Sequence, residues 1–169
     1  RLADMAERSI ELNDLTQQMQ VIQDDLKNLG RYITGSKVDM ILCNPPYFKV
    51  DKQSNLNESQ HYLLARHEIS TNLEEICKIA QRVLKSNGRL AMVHRPERFL
   101  DILDTMQAHN LAPKRIQFVY PKLGKEANML LIEAIKDGSR DGLKILPPLF
   151  IHNQDGSYTP EIHEIYYGK

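Results

Sequence analysis

The chain has 169 residues, of which 41% are hydrophobic and 26% charged, a composition typical of a single globular domain. Basic and acidic residues both number 22, so the net charge of zero excludes a protein that binds nucleic acid through overall charge. No apolar run is long enough to span a membrane and no signal peptide is present. The two cysteines and six histidines lack disulfide or metal spacing, so we expect a cytoplasmic protein without a metal.

The first predicted element is an amphipathic helix, because Leu2, Met5, Ala6 and Ile10 recur at helical spacing. The sequence opens inside this pattern without a methionine, so we expect it to be part of a longer protein. The run "MQVIQDDL" over residues 19–26 predicts a short strand that ends in two acids.

The apolar run 37–43 suits a strand buried on both faces. Residues 48–70 are polar without a clear period and predict a long loop with a short helix. Thr71 and Glu74 form a capping box, so a helix is expected to begin there and to end at Asn87-Gly88.

The rest of the chain alternates short strands and helices. Strands separated by helices indicate an α/β fold with a parallel sheet, and the short connection between the last two strands makes that pair antiparallel. The predicted elements are a strand over 89–94, a helix from Pro96, strands over 115–120 and 128–136, and an extended tail over 143–169 with a turn at Asp155-Gly156 and a helix after Pro160.

The stretch "ILCNPPYF" places a rigid polar corner directly after a predicted strand. An amino group conjugated to a ring is a poor nucleophile, and a site that alkylates it must accept hydrogen bonds from its N–H groups. The side-chain oxygen of Asn44 and the carbonyl of Pro45 are such acceptors, and Tyr47 offers a ring for stacking. A simple strand-ending turn is the alternative interpretation.

The same stretch, "DMILCNPPYF", resembles the Asn-Pro-Pro-Tyr motif of S-adenosylmethionine-dependent amino methyltransferases. With "ARHEI", "GRLAMVHRPERF" and the tail "LPPLFIH…DGSYTPEI…IYYG", the chain resembles the bacterial valine-tRNA adenine-N6-methyltransferase family. The resemblance implies a Rossmann-like class I sheet of strand order 3-2-1-4-5-7-6. It also implies S-adenosylmethionine as cofactor, and as substrate an adenosine in a single-stranded tRNA loop near the anticodon.

The resemblance also implies roles for individual residues of the corner. Asn44 and Pro45 would bind the target amino group, and Tyr47 would stack on the flipped base. Pro46 would line the substrate pocket, and Phe48 would line it or support Tyr47, with a core role for Phe48 as an equal alternative.

For the cofactor, the resemblance points to an acid after the third strand. Asp25, which precedes Leu26, fits the position that contacts the adenine of S-adenosylmethionine, and Asp24 is the second choice. Both could instead be turn acids. The glycine-rich cofactor loop and strands 1 and 2 are expected before residue 1, since no G-x-G pattern occurs in the sequence.

Basic residues in the middle of the chain are candidate RNA contacts, with ordinary surface charge as the alternative. Arg66 and His67, beside Glu68, would contact the substrate or close over the site, and Arg95 and Arg98 would meet phosphates. Less specific candidates for the tRNA backbone are Lys49, Lys52, Lys122 and Lys125.

Two other functions remain open on the sequence. A glutamine side-chain amide needs the same two acceptors as an aromatic amine, so a protein methyltransferase is the first alternative. A non-catalytic RNA-binding remnant of the fold is the second, because the glycine-rich loop is not in this sequence.

Overall fold

The computed structural model describes residues 1–33, 38–45 and 73–168, and these form an α/β fold around one six-stranded sheet. The strands are β1 (Val38–Cys43), β2 (Leu84–His94), β3 (Leu111–Lys122), β4 (Met129–Lys136), β5 (Lys144–Ile145) and β6 (Leu149–His152). The α-helices are α1 (Leu2–Leu12), α2 (Leu73–Val83), α3 (Phe99–Ala108) and α4 (Pro160–Tyr167), and two 3-10 helices span Leu26–Arg31 and Pro96–Arg98.

The sheet has the order β1-β2-β4-β3-β5, and β6 also pairs with β3. β1 is parallel to β2, whereas β4 is antiparallel to both β2 and β3. Strands β1, β2 and β3 therefore run in the same direction. The order β1-β2-β4-β3 reproduces the 4-5-7-6 portion of the expected strand order. The prediction that strand 7, here β4, is antiparallel to its neighbours is also confirmed.

The main core lies between one face of the sheet and helices α2 and α3. In α2, Ile76, Cys77, Ala80 and Val83 are buried because they recur on one side of the helix. The strands supply alternate residues, since successive side chains of a strand point to opposite faces. The buried members from the strands and α3 include Leu90, Met92, Ile102, Met106, Ile116, Leu130, Ile132 and Ala134.

The prediction of a strand over residues 19–26 is wrong. Residues 19–23 belong to none of the strands of the described chain, and a 3-10 helix begins at Leu26. A strand is stabilised by the ladder of hydrogen bonds to its neighbour, and no described strand lies beside this segment. The 3-10 helix that follows packs on α2: Leu26 contacts the core, and the Nζ of Lys27 lies 3.1 Å from a carboxylate oxygen of Glu75.

The prediction that β1 is buried on both faces is also wrong. Ile41 and Cys43 pack against the core, but Met40 and Leu42 on the other face are 48% and 77% exposed. Among the described residues, β1 is an edge strand and nothing covers this face at Leu42. Burial of the second face depends on what packs there, which an apolar run does not reveal.

Helix α2 ends four residues before the predicted stop. Leu84 leaves the helix to pair with Val38, and the register of β1 on β2 then shifts so that Met40 pairs with Arg89. The intervening bulge contains the predicted turn residues: Asn87 has a φ of +64°. A Cβ at Gly88 would lie 3.2 Å from the carbonyl oxygen of Asp39, so the close backbone approach favours glycine there.

The C-terminal segment returns to the sheet beside β3. β6 pairs in parallel with β3, with Leu149 opposite Val119 and His152 opposite Lys122. Thr159 caps α4 by accepting a hydrogen bond from the backbone N–H of Ile162, and Ile162 is buried in a second small core with Val119 and Leu149. The predicted turn and helix are thus present. In the described part of the chain, no helix is long and apolar enough to cross a membrane.

Candidate functional site

The carboxyl ends of three parallel strands meet at one edge of the sheet, and each strand has a polar residue at its end or directly after it. Asn44 and Pro45 follow β1, His94 ends β2, and Lys122 ends β3. Asn44 is exposed and Pro45 is buried. In open α/β sheets, ligands bind beyond this edge. The structure therefore brings Asn44 and Pro45 to the edge at which a substrate is expected.

Asn44 and Pro45 continue β1 beside the end of β2, where the register sets Asn44 opposite Val93 and Pro45 opposite the buried His94. Cys43 pairs with Met92, so Asn44 extends β1 beside the last residues of β2. A cavity of about 460 Å³ reaches Asn44 from the open face of the sheet and is lined by Leu42, Val93 and Leu131 among others. The corner thus presents its polar atoms next to an apolar surface.

His94 is a polar residue of this edge that we did not predict as a site residue. It is only 5% exposed and its Nδ1 accepts a hydrogen bond from the backbone N–H of Arg95 at 2.8 Å. The sequence "RLAMVH" carries a signal for this burial, because Leu90, Met92 and His94 are each two residues apart and so lie on the same face of the strand. Burial lowers the pKa of His94 below its ordinary 6.5, and the charge of Arg98 lowers it further.

This lowered pKa predicts a loss of stability in mild acid. The folded protein binds fewer protons at His94 than the unfolded chain, so His94 contributes stability above about pH 6.5 that is lost as the pH falls through its folded pKa. Asp24 and Asp155 have pKa values lowered from 3.8 and titrate below this window. Urea titrations between pH 5 and 8 should show a flatter profile for His94→Gln. Equal slopes for parent and variant in this range would contradict the assignment.

Neither cysteine is a reactive group, since Cys77 is buried and Cys43 is half-buried. Burial raises the pKa of Cys43, and it raises the pKa of Cys77 to about 12 with a contribution from Cys43. Since the thiolate is the nucleophilic form, neither thiol is activated at neutral pH.

Asp24 and Asp25 organise the turn that leads into the first 3-10 helix. Asp24 accepts hydrogen bonds from the Tyr32 hydroxyl at 2.6 Å and the Asn28 amide at 2.8 Å, and these bonds lower its pKa. Asp25 caps the 3-10 helix by accepting a hydrogen bond from the Lys27 N–H at 2.9 Å. These hydrogen bonds agree with the interpretation of both acids as turn residues. A carboxylate can accept about four hydrogen bonds, so Asp25 could still accept one from a ligand.

Arg95 and Arg98 lie at the carboxyl end of β2 and each has an acidic neighbour. The Nε of Arg98 is 2.6 Å from a carboxylate oxygen of Asp101, and the Nε of Arg95 is 3.9 Å from one of Glu97. Both arginines therefore lie at the expected edge, but their charges are partly balanced locally.

Several predicted site residues lie outside the described residues, and their roles stay predictions. These are Pro46, Tyr47, Phe48, Lys49, Lys52, Arg66, His67, Glu68 and the capping residue Thr71.

The architecture matches a known structure. A crystal structure of a predicted O-methyltransferase from Agrobacterium tumefaciens aligns with a TM-score of 0.73 over 98% of this chain and 72% of that one, at 22% identity. This chain has the class I methyltransferase fold. No family model matches the sequence.

Curated relatives carry the name that the sequence motifs suggest. A tRNA1(Val) (adenine(37)-N6)-methyltransferase of Porphyromonas gingivalis W83 is 30% identical over 135 residues, or 79% of this chain and 52% of that protein. Proteins of the same name in Parabacteroides distasonis and Aliivibrio salmonicida are 28% and 27% identical over 76% and 70% of this chain, and over 52% and 48% of their own lengths. These relatives confirm the family resemblance that the sequence motifs indicated. The chain spans about half the length of the curated relatives that it matches.

Proposed function

We propose that the protein transfers a methyl group from S-adenosylmethionine to the exocyclic N6 amino group of an adenosine in tRNA. The observation that carries this proposal is the corner formed by Asn44 and Pro45, placed at the carboxyl end of β1 in a methyltransferase fold. The names of the curated relatives support tRNA as the substrate class.

The chemistry of the corner follows from what each residue offers. The side-chain oxygen of Asn44 accepts one hydrogen bond from the amino group and the carbonyl of Pro45 accepts the other. Both bonds draw electron density onto the nitrogen and favour its tetrahedral geometry. Proline has a restricted φ, and Pro45 is buried, so its carbonyl is held in place before the substrate arrives. Tyr47 is proposed to stack on the adenine ring.

The cofactor would be held in part by the turn at Asp24 and Asp25, which leads into the 3-10 helix packed on α2. S-adenosylmethionine supplies the methyl group when it is bound. Asp25 would accept a hydrogen bond from its adenine amino group, with Asp24 as the alternative acceptor and Leu26 beside it. These residues fit an adenine, because the acids border a small cavity whose other walls include the apolar Ile22 and Leu29.

Nucleoside analysis tests the proposed reaction directly. Total tRNA from cells lacking the gene should contain less N6-methyladenosine by mass spectrometry, and the gene on a plasmid should restore it. An unchanged nucleoside profile would overturn the proposal. If methylation of glutamine in a cellular protein is lost instead, the protein methyltransferase is correct, and if no methylation changes while tRNA still binds, the non-catalytic alternative is correct.

Arg95 and Arg98 are proposed to contact phosphates of the bound tRNA. Replacing each by alanine should weaken tRNA binding and make the plot of log Kd against log salt shallower by about one unit per lost contact. The matched control is Arg140→Ala, because Arg140 follows β4 at the opposite edge of the sheet. Filter binding at several salt concentrations measures both effects. A salt slope equal to that of the parent would assign the two arginines to surface charge alone.

A further inference from the structure

The C-terminal segment carries a row of five contacting rings. His152 stacks on Tyr158 with ring centres 5.3 Å apart and an angle of 19° between the planes. Tyr158 meets Tyr166 edge to face at 5.5 Å, Tyr166 meets Tyr167 at 6.2 Å, and Tyr167 meets His163 at 4.8 Å. The reaction proposed above does not involve this row of rings.

The tyrosines of the row are exposed, although aromatic residues are usually buried for their large apolar area. Tyr158, Tyr166 and Tyr167 are 43%, 61% and 68% exposed. The anchoring of α4 is done by other groups: Ile162 is buried, and the Thr159 hydroxyl donates a hydrogen bond to the Phe150 carbonyl at 2.7 Å. The rings are therefore held in place on the surface without forming the core that holds the helix.

The row lies at the same edge of the sheet as the Asn44 corner. His152 ends β6, which is parallel to β3, and it pairs with Lys122 at the carboxyl end of β3. From β1 to β6 there are four strand spacings across β2, β4 and β3, which makes about 19 Å at about 4.8 Å each. About six stacked nucleotides at roughly 3.4 Å each cover that distance.

Two lysines border the row. Lys122 is adjacent to His152 in the sheet, and Lys125 lies in the loop that follows β3. The Gln154 amide donates a hydrogen bond to the Leu123 carbonyl at 3.3 Å, which ties this loop to the turn before Tyr158. The acids of the same segment are Asp155, Glu161 and Glu164, so the rings themselves do not lie in a strongly basic surface.

We infer that this row of rings is a stacking platform for unpaired bases of the RNA that flank the methylated adenosine. The inference rests on the proposed tRNA substrate. Exposed tyrosine and histidine rings stack on bases of any identity, and the nearby acids disfavour phosphate contacts at the rings. The lysines at the border of the row receive the backbone, and the platform orients the loop whose adenosine enters the corner.

The experiment compares the protein as encoded by its gene with Tyr166→Ala/Tyr167→Ala and Tyr166→Phe/Tyr167→Phe variants. The probe is a fluorescent RNA hairpin with an unpaired adenosine-containing loop, measured by anisotropy without cofactor. The alanine pair should raise Kd by at least about 10-fold, because it removes two aromatic rings on which bases stack. The phenylalanine pair keeps the rings and should bind within about twofold of the parent, since stacking needs no hydroxyl.

Three controls separate base stacking from phosphate contact and from a general loss of apolar surface. The salt slope should be equal for the parent and the alanine pair, because no phosphate contact is lost. A fully paired RNA of the same length should bind both proteins equally. Leu123→Ala, an exposed apolar change in the adjoining loop, should leave Kd unchanged.

An unchanged Kd for the alanine pair overturns the inference. So does a changed oligomeric state with unchanged RNA affinity, which would make the row a protein contact. Methyl transfer to the hairpin distinguishes the two proposals. If transfer occurs and the alanine pair leaves KM unaltered, the platform fails while the proposed function stands. If no transfer occurs but binding depends on the rings, the platform stands while the proposed function fails.

Discussion

Asn44→Ala is expected to lower the rate of methyl transfer to unmodified tRNA by about 10²–10³-fold under single-turnover conditions. Removing one preorganised polar group that stabilises a transition state typically has an effect of this size. Asn44 is exposed at the end of β1, so the melting temperature should be nearly unchanged. The measurement is the incorporation of labelled methyl groups into tRNA by the protein as its gene encodes it.

Asn44→Asp is the matched control for this variant. A carboxylate keeps an acceptor oxygen at the same position, so much of the activity should remain. Activity of Asn44→Ala close to that of the parent would rule out Asn44 as an acceptor for the amino group. Equal losses in the alanine and aspartate variants would mean that the amide N–H₂ of Asn44 matters rather than its oxygen.

Ile102→Ala is expected to have the largest effect on stability. Ile102 lies on α3 with no exposed area and packs against the sheet, so truncation removes buried methyl groups and leaves a cavity. Such changes lower the free energy of unfolding by about 2–5 kcal/mol. Denaturation by urea measures the change.

Leu100→Ala on the same helix is the control for Ile102→Ala. Leu100 is 73% exposed, and its replacement by a good helix former should change the free energy of unfolding by less than about 0.5 kcal/mol. Similar losses for the two variants would show that α3 is not packed on the sheet as described.

The main elements of this chain could be predicted because their signals are local. The apolar face of α2 and the alternation along β4 are visible in any short window of the sequence. Both elements are present, β4 at nearly its predicted bounds and α2 with its end four residues before the predicted stop. The order of the four main strands was predictable only through the family resemblance. The two wrong predictions are the strand over residues 19–26 and the burial of β1 on both faces. A strand needs a neighbouring strand to pair with, and burial of a face needs a layer that covers it, and neither can be read from a short window of sequence.

Some features of the candidate site could likewise be predicted from the sequence, and others could not. That Asn44 and Pro45 follow a strand is a property of the sequence, and their place at the ligand-binding edge follows from the direction of that strand. For Asp25 the structure agrees with the alternative interpretation as a turn acid, since it accepts a hydrogen bond from the Lys27 N–H, and its contact with the cofactor remains a prediction. Tyr47 and Arg66 lie outside the described residues and remain predictions.

The sequence by itself determined the α/β class, the approximate positions of β1 to β4 and the polar corner after β1. Periodicity and turn chemistry act between residues close along the chain, so they can be read without coordinates. Only the tertiary structure decided that the buried His94 lies at the same edge of the sheet as this corner, and that the half-buried His152 and the exposed Tyr158 and Tyr166 form one row of rings. The row depends on the bridge between His152 and Tyr158 and on the burial of Ile162 of α4 against Val119 and Leu149, and the latter contact joins residues far apart in the chain.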